Sequence, residues 1–200
     1  MTRGRSAGPD AGEDTAIGAG AAIGEERLVR LATELGHAMR RVGALITTAE
    51  SCTGGLLAQV LTETAGSSEW FERGFVTYSN QAKVDLLGVL AVTLQAQGAV
   101  SEEVAREMAA GALAHSAAAL ALAVTGIAGP GGAVEGKPVG TVCFGWALAL
   151  PDDGPEILVR SAQLQFAGDR AAVRRQSAAH ALAGALRLLE QRLQDRPPVA

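Results

Sequence analysis

Lysine is almost missing from this sequence of 200 residues: Lys83 and Lys137 stand against fifteen arginines. Arginine therefore serves for ordinary surface charge, and it cannot surrender its proton near neutral pH, whereas a lysine can. Histidine is also scarce. His37, His115 and His180 each fall inside a helical pattern, away from the loops, so neither a Ser–His–Asp triad nor a metal-ligand cluster is visible, and no metal is expected. The two cysteines, Cys52 and Cys143, lie far apart in different apolar contexts, which argues against a disulfide framework and fits a reducing cytoplasm. A net charge of −4 and a pI near 5.4 give no basic face for nucleic acid. The longest apolar run, Ala117 to Val124, falls well short of the roughly 20 residues needed to cross a bilayer. The N-terminus has Arg3 and Arg5 but no apolar stretch of a secretory signal. A soluble cytoplasmic protein without nucleic-acid or membrane partners is expected.

What is present is an alternation of short apolar strands with amphipathic helices. Residues 1–23 are rich in Gly, Ala, Asp and Thr without periodicity and read as a disordered tail. One domain is expected over residues 24–195. Leu28, Leu31, Leu35 and Met39 mark a helix over Glu25–Arg41, closed by Gly43. A first strand, Ala44–Thr48, leads into a helix over about Thr53–Ala65. Gly74–Tyr78 reads as a second strand, and Asn80 as the cap of a short helix through Leu87. Ser101, followed by Glu102 and Glu103, starts a long amphipathic helix. Leu120–Val124 reads as a buried strand, Val139–Leu148 as a fourth and Ile157–Phe166 as a fifth, separated from the fourth by a turn at Pro151–Pro155. Asp169 opens a last helix to about Leu193, before Pro197-Pro198. This order predicts an α/β fold, a three-layer α/β/α sandwich with a mixed, mainly parallel sheet of about five to six strands.

Three loops carry candidate chemistry. After the first strand comes Glu50-Ser51-Cys52-Thr53-Gly54-Gly55, small polar residues ahead of a helix start, where phosphate or an oxyanion can be held. Helix capping is the plain alternative for such a serine. After the third strand comes Thr125-Gly126-Ile127-Ala128-Gly129-Pro130-Gly131-Gly132, which lets backbone approach a ligand. It is neither a Walker A loop nor a dinucleotide fingerprint, because no Gly-Lys-Ser/Thr ends it and Pro130 interrupts a following helix. Both loops follow strand carboxyl ends and can face one crevice. The third stretch joins Gly66-Ser67-Ser68 and the aromatic pair Trp70-Phe71, read as core, to Tyr78, Ser79, Asn80 and Lys83. With no histidine available, an activated serine would need a lysine base, and Lys83 is preferred to Lys137, which precedes Pro138. Cys52 reads as a small buried neighbour of Ser51. Arg170 and Arg174, one turn apart after Asp169, suit a phosphate, as they also suit a solvated helix face.

Taken in order, Ala-Glu-Ser51-Cys-Thr-Gly-Gly, Gly-Ser-Ser68 with Trp-Phe-Glu-Arg-Gly, Val-Thr-Tyr78-Ser-Asn with Ala-Lys83, Val-Thr125-Gly-Ile-Ala-Gly-Pro-Gly-Gly, Lys137-Pro-Val-Gly-Thr-Val and Gly-Asp-Arg170 closely resemble the CinA C-terminal domain family in its stand-alone bacterial form. The likeness covers about residues 25–194. It implies an amidohydrolase that converts nicotinamide mononucleotide to nicotinic acid mononucleotide and ammonia in pyridine nucleotide salvage, with no cofactor, a small-molecule nucleotide substrate and a homodimer. It carries Ser51, Ser68, Tyr78, Lys83, Thr125 and Arg170 into the site. Thr53, Gly54, Gly126, Gly129 and Arg174 join them as expected substrate contacts. Two serines compete for the role of nucleophile. Ser51 has the helix start; Ser68 lies closer along the chain to Lys83, and the expectation leans to Ser68 with Lys83, Ser51 and Thr125 positioning the substrate. The alternatives are a non-catalytic nucleotide-binding or regulatory module and an amidohydrolase acting on a related amide.

Overall fold

Five strands, β1 (Ile46–Glu50), β2 (Phe71–Val76), β3 (Leu120–Gly126), β4 (Thr141–Leu148) and β5 (Leu158–Gln165), hydrogen-bond into one sheet ordered β2-β1-β3-β4-β5 in a computed structural model that describes residues 23–151 and 157–195. The tail expected at the N-terminus lies, up to residue 22, outside the described residues. So do the expected turn beyond Pro151 and the Pro197-Pro198 end. β1 pairs in parallel with β2 and with β3. β3–β4 and β4–β5 pair antiparallel, so of the five strands β4 alone runs against the others.

Helices α1 (Glu25–Arg41), α2 (Leu56–Thr62) and α6 (Arg170–Gln194) cover one face, and α3 (Asn80–Leu87), α4 (Ala91–Gln97) and α5 (Glu102–Ala114) the other. The period-2 alternation of the strands explains the difference between the two layers. Leu120, Leu122 and Val124 of β3 and Val142, Phe144, Trp146 and Leu148 of β4 fill the core under α1 and α6. Ala49, Ala121, Ala123 and Ala147 line the other face under α5. These small residues let α5 lie close to the sheet, and a Cβ at Gly145 would fall on the Ala105 carbonyl. On its far side α5 meets α3 just as closely, since a Cβ at Gly111 would fall on the Leu87 carbonyl.

Several boundaries differ from the sequence expectation. β1 runs two residues later, to Glu50, because each of its residues finds a partner in β3, up to Val124 opposite Glu50. β2 starts at Phe71, opposite Ile46, and ends at Val76, opposite Glu50, which leaves Tyr78 in the loop beyond the strand. α2 begins at Leu56, not near Thr53. Ser79, not Asn80, caps α3, its Oγ accepting the Ala82 N–H at 3.0 Å. α4 was not singled out by the apolar spacing. Ser101 and Asp169 do cap α5 and α6, accepting from Val104 and Ala172. Trp70 is core, 2% exposed, with its indole N–H on the Leu61 carbonyl at 3.1 Å. Among the described residues no helix is long and apolar enough to cross a membrane.

Candidate active site

Three parallel strands, β2, β1 and β3, end side by side, and the backbone knits the loops beyond them. Ser51 N–H donates to Val124 O at 2.9 Å, and Thr77 N–H to Glu50 O at 2.8 Å. This brings the Ser51 turn, the β2–α3 loop and the glycine-rich loop into one crevice. Ser51 is 9% exposed and Lys83, on the first turn of α3, is 1% exposed. Lys83 Nζ lies 3.1 Å from Ser51 Oγ and 2.8 Å from Thr77 O, to which it donates. Burial pulls the Lys83 ammonium down from its ordinary value to about 8, with Cys52 acting the other way. At that value a useful fraction is neutral near pH 7, with a lone pair for the Ser51 hydroxyl proton. The hydroxyls of Thr53 and Thr77 are buried without a hydrogen-bond partner among the described residues.

The pairing of Ser68 with Lys83 expected from the sequence is not what the structure brings together. Ser68 sits exposed in a 3-10 turn, Ser67–Glu69, ahead of β2. Lys83 follows the other end of that strand. Six residues of β2 lie between them, about 20 Å at ~3.3 Å per residue. Proximity along the chain misled because a strand is the most extended path a chain can take.

The start of α2 is also not the anion site expected. Its amides are occupied by Glu50, a fully buried carboxylate that sequence reasoning did not place in the site. Glu50 accepts from Gly55 N at 3.0 Å, Leu57 N at 3.0 Å and Ala58 N at 2.9 Å, and from Thr48 Oγ1 at 3.4 Å. The signal was present in the sequence as a carboxylate ending an otherwise apolar strand.

The remaining candidates divide. Arg170 reaches back across the crevice, donating to Gly129 O at 2.9 Å and to Tyr78 Oη at 3.1 Å. It thus ties α6 to the glycine-rich loop and to the β2–α3 loop. Tyr78 is 63% exposed. Arg174, expected beside Arg170, instead donates to Thr53 O through Nε at 3.2 Å and Nη2 at 2.6 Å. It also lines a cleft of about 210 Å³ between α1, α2 and α6, with Leu28, Leu56 and Arg175. Gly54 packs under this guanidinium with φ +59. Thr125 gives its hydroxyl to Ala99 O at 2.8 Å, bracing the loop before α5. Gly126, still on β3, lies against Thr141 and Val142, and Gly129 turns at φ +82 against Val139. Lys137 ties the loop's far side to Gln97 O at 2.7 Å.

Both thiols and the His180 imidazole are poorly suited to chemistry. Burial pushes the Cys52 thiol up to about 12 and that of Cys143 up to about 11. His180 lies against Phe144 at 4.6 Å between ring centres, and burial pulls its imidazole down to about 4. No group of three or more His, Cys, Asp or Glu among the described residues is assembled as a metal-ligand set.

Fold and site together define a three-layer α/β/α domain with one buried serine–lysine contact at the carboxyl ends of its parallel strands. The model of the CinA C-terminal domain matches residues 28–189, and the chain belongs to that family. It is 53% identical over 165 residues to a protein of Enterobacter agglomerans named nicotinamide-nucleotide amidohydrolase PncC, covering 82% of this chain and 97% of that one. It is 53% identical to the protein of the same name in Escherichia coli K12, covering 79% and 92%. Among solved structures, the competence/damage inducible protein CihA of Agrobacterium tumefaciens aligns with a TM-score of 0.74 at 43% identity, covering 82% of this chain and 96% of that one. A CinA superfamily protein of Escherichia coli aligns with a TM-score of 0.75 at 35% identity, covering 88% and 99%.

Proposed function

We propose that this chain is a nicotinamide-nucleotide amidohydrolase that uses Ser51 as nucleophile and Lys83 as base. The names of its half-identical relatives over most of the chain support the substrate and reaction. The observation that carries the mechanism is the buried contact of 3.1 Å between Lys83 Nζ and Ser51 Oγ. Neutral Lys83 takes the hydroxyl proton as Ser51 Oγ bonds to the carboxamide carbon of nicotinamide mononucleotide. The C–N bond then breaks, Lys83 returns the proton to the leaving nitrogen, and ammonia departs from a seryl ester. Water, deprotonated by the same lysine, opens the ester to nicotinic acid mononucleotide and free Ser51. We assign oxyanion stabilisation to the backbone N–H groups of Cys52 and Thr53, because that of Ser51 already serves Val124 O and those at the start of α2 already serve Glu50.

In this reading Arg170, held by Gly129 O and Tyr78 Oη, meets the phosphate with its remaining donors. Tyr78 orients that guanidinium at the mouth of the crevice. Thr53, Gly54, Thr125, Gly126 and Gly129 shape the nucleotide-binding wall, and Arg174 contributes by holding Thr53. Lys83 supplies the base, so the reaction needs no metal or cofactor. A homodimer and a cytoplasmic location belong to the same reading, the first from the family likeness and the second from two unpaired thiols.

The test is ammonia release by the purified chain from nicotinamide mononucleotide, with and without a chelator, beside a panel of related amides. Turnover that prefers the mononucleotide and survives chelation is expected. No ammonia from any amide, or activity that chelation abolishes and zinc or magnesium restores, would overturn the reading.

A further inference from the structure

Glu50 takes no part in the bond-making steps above, yet it touches both halves of the reacting pair through one link each. Its main-chain oxygen accepts the Thr77 N–H at 2.8 Å, and the Thr77 carbonyl is the second partner of Lys83 Nζ. Its carboxylate grips the amides of Gly55, Leu57 and Ala58. The Ser51–Gly54 turn is thereby closed between the Glu50 backbone at one end and its side chain at the other. A buried carboxylate is costly without strong partners. None of the ion pairs found among the described residues involves Glu50, so backbone N–H groups carry the compensation. Ordinary capping uses a short side chain at the N-cap itself. Here that position is Gly55, which has none, and the cap reaches in from five residues upstream.

We infer that Glu50 is a positioning residue, whose buried carboxylate fixes the Ser51 turn against α2 so that Ser51 Oγ stays within reach of Lys83. This inference rests on the serine–lysine reading but not on the identity of the substrate. Both carboxylate oxygens are engaged. Oε2 accepts two amides, and Oε1 accepts one amide and the Thr48 hydroxyl. A glutamine is nearly isosteric but turns one of these acceptors into a donor facing N–H groups, so the turn must shift while the fold has reason to persist.

The experiment compares the parent with Glu50→Gln in two assays: turnover of nicotinamide mononucleotide, and labelling of Ser51 by a fluorophosphonate, read by mass and peptide mapping. The probe needs an activated serine but no nucleotide recognition. In the folded variant, kcat and the labelling rate should each fall by about 10²-fold, while KM stays within about threefold. The acid limb of the pH profile should stay where the parent has it, since burial and not Glu50 sets the Lys83 proton affinity. A variant that is merely less heat-stable, yet labels and turns over at the parent's rate, would overturn the inference. If Glu50→Gln does not fold, Glu50→Asp takes its place, with the charge kept and the carboxylate drawn back by one methylene. If neither folds, Glu50 is a folding residue and the positioning claim falls. If the parent labels at Ser51 and Glu50→Gln does not, while no amide is hydrolysed, the inference stands and the substrate assignment fails.

Discussion

Ser51 and Ser68 both neighbour glycines in polar turns, and both sit next to β2 or its partner strand, but they occupy opposite ends of the sheet. Ser51 follows the carboxyl end of β1, nearly buried, with its oxygen 3.1 Å from a buried amine. Ser68 precedes the amino end of β2, exposed, in a short 3-10 turn. The carboxyl ends of β2, β1 and β3 gather three loops into one crevice, as open α/β sheets generally do. At the amino end, the turn holding Ser68 connects α2 to β2. The difference teaches that the chemistry of a serine here follows from the strand end it occupies, not from its local residues or its distance in sequence from a base.

The sharpest way to break this contrast is to remove each hydroxyl. Ser51→Ala should lower kcat/KM by at least about 10³-fold, whereas Ser68→Ala should stay within about twofold. The reverse pattern in ammonia release would move the reaction centre to the other end of the sheet. Lys83→Arg should be nearly as inactive as Ser51→Ala, because a guanidinium keeps the charge but cannot accept the proton. Retention of most turnover would reduce Lys83 to a fixed charge.

A smaller effect is expected at the far end of the substrate. Arg170→Ala should raise KM for nicotinamide mononucleotide by about tenfold or more and leave the poor hydrolysis of the dephosphorylated riboside nearly unchanged. Equal losses for both substrates would mean that Arg170 supports the loops through Gly129 and Tyr78 and does not read the phosphate. A smaller effect than that of Arg170 is expected at Cys52. With its thiol pushed up to about 12, almost none is thiolate at neutral pH. Cys52→Ala should therefore keep kcat/KM within about tenfold, and a loss as deep as that of Ser51→Ala would favour a thiol mechanism.

Much of the architecture was legible because it rests on local periodicity. The fourth and fifth strands, the capped starts of α5 and α6, and the family itself could be read from apolar spacing and ordered motifs. Lys83 stood out because lysine is otherwise so rare. What the sequence could not show was which loops meet. The Ser51–Lys83 contact spans 32 residues and depends on β1 lying between β2 and β3. Arg174 looked like a partner of Arg170 on one helix face, but one turn of helix was enough to send it to the Thr53 carbonyl. Glu50 was visible as a charge ending an apolar strand, and its role emerged from three amides that α2 supplies only once folded.

The central claim is that the neutral fraction of a buried Lys83 activates Ser51, and the pH dependence of kcat/KM for ammonia release tests it most directly. Protonated Lys83 cannot act as base, so between about pH 6.5 and 9.5 the rate should rise about tenfold per unit and level off around the lysine's value of about 8. A profile that is flat across this range, or that falls as the lysine loses its proton, would contradict the account.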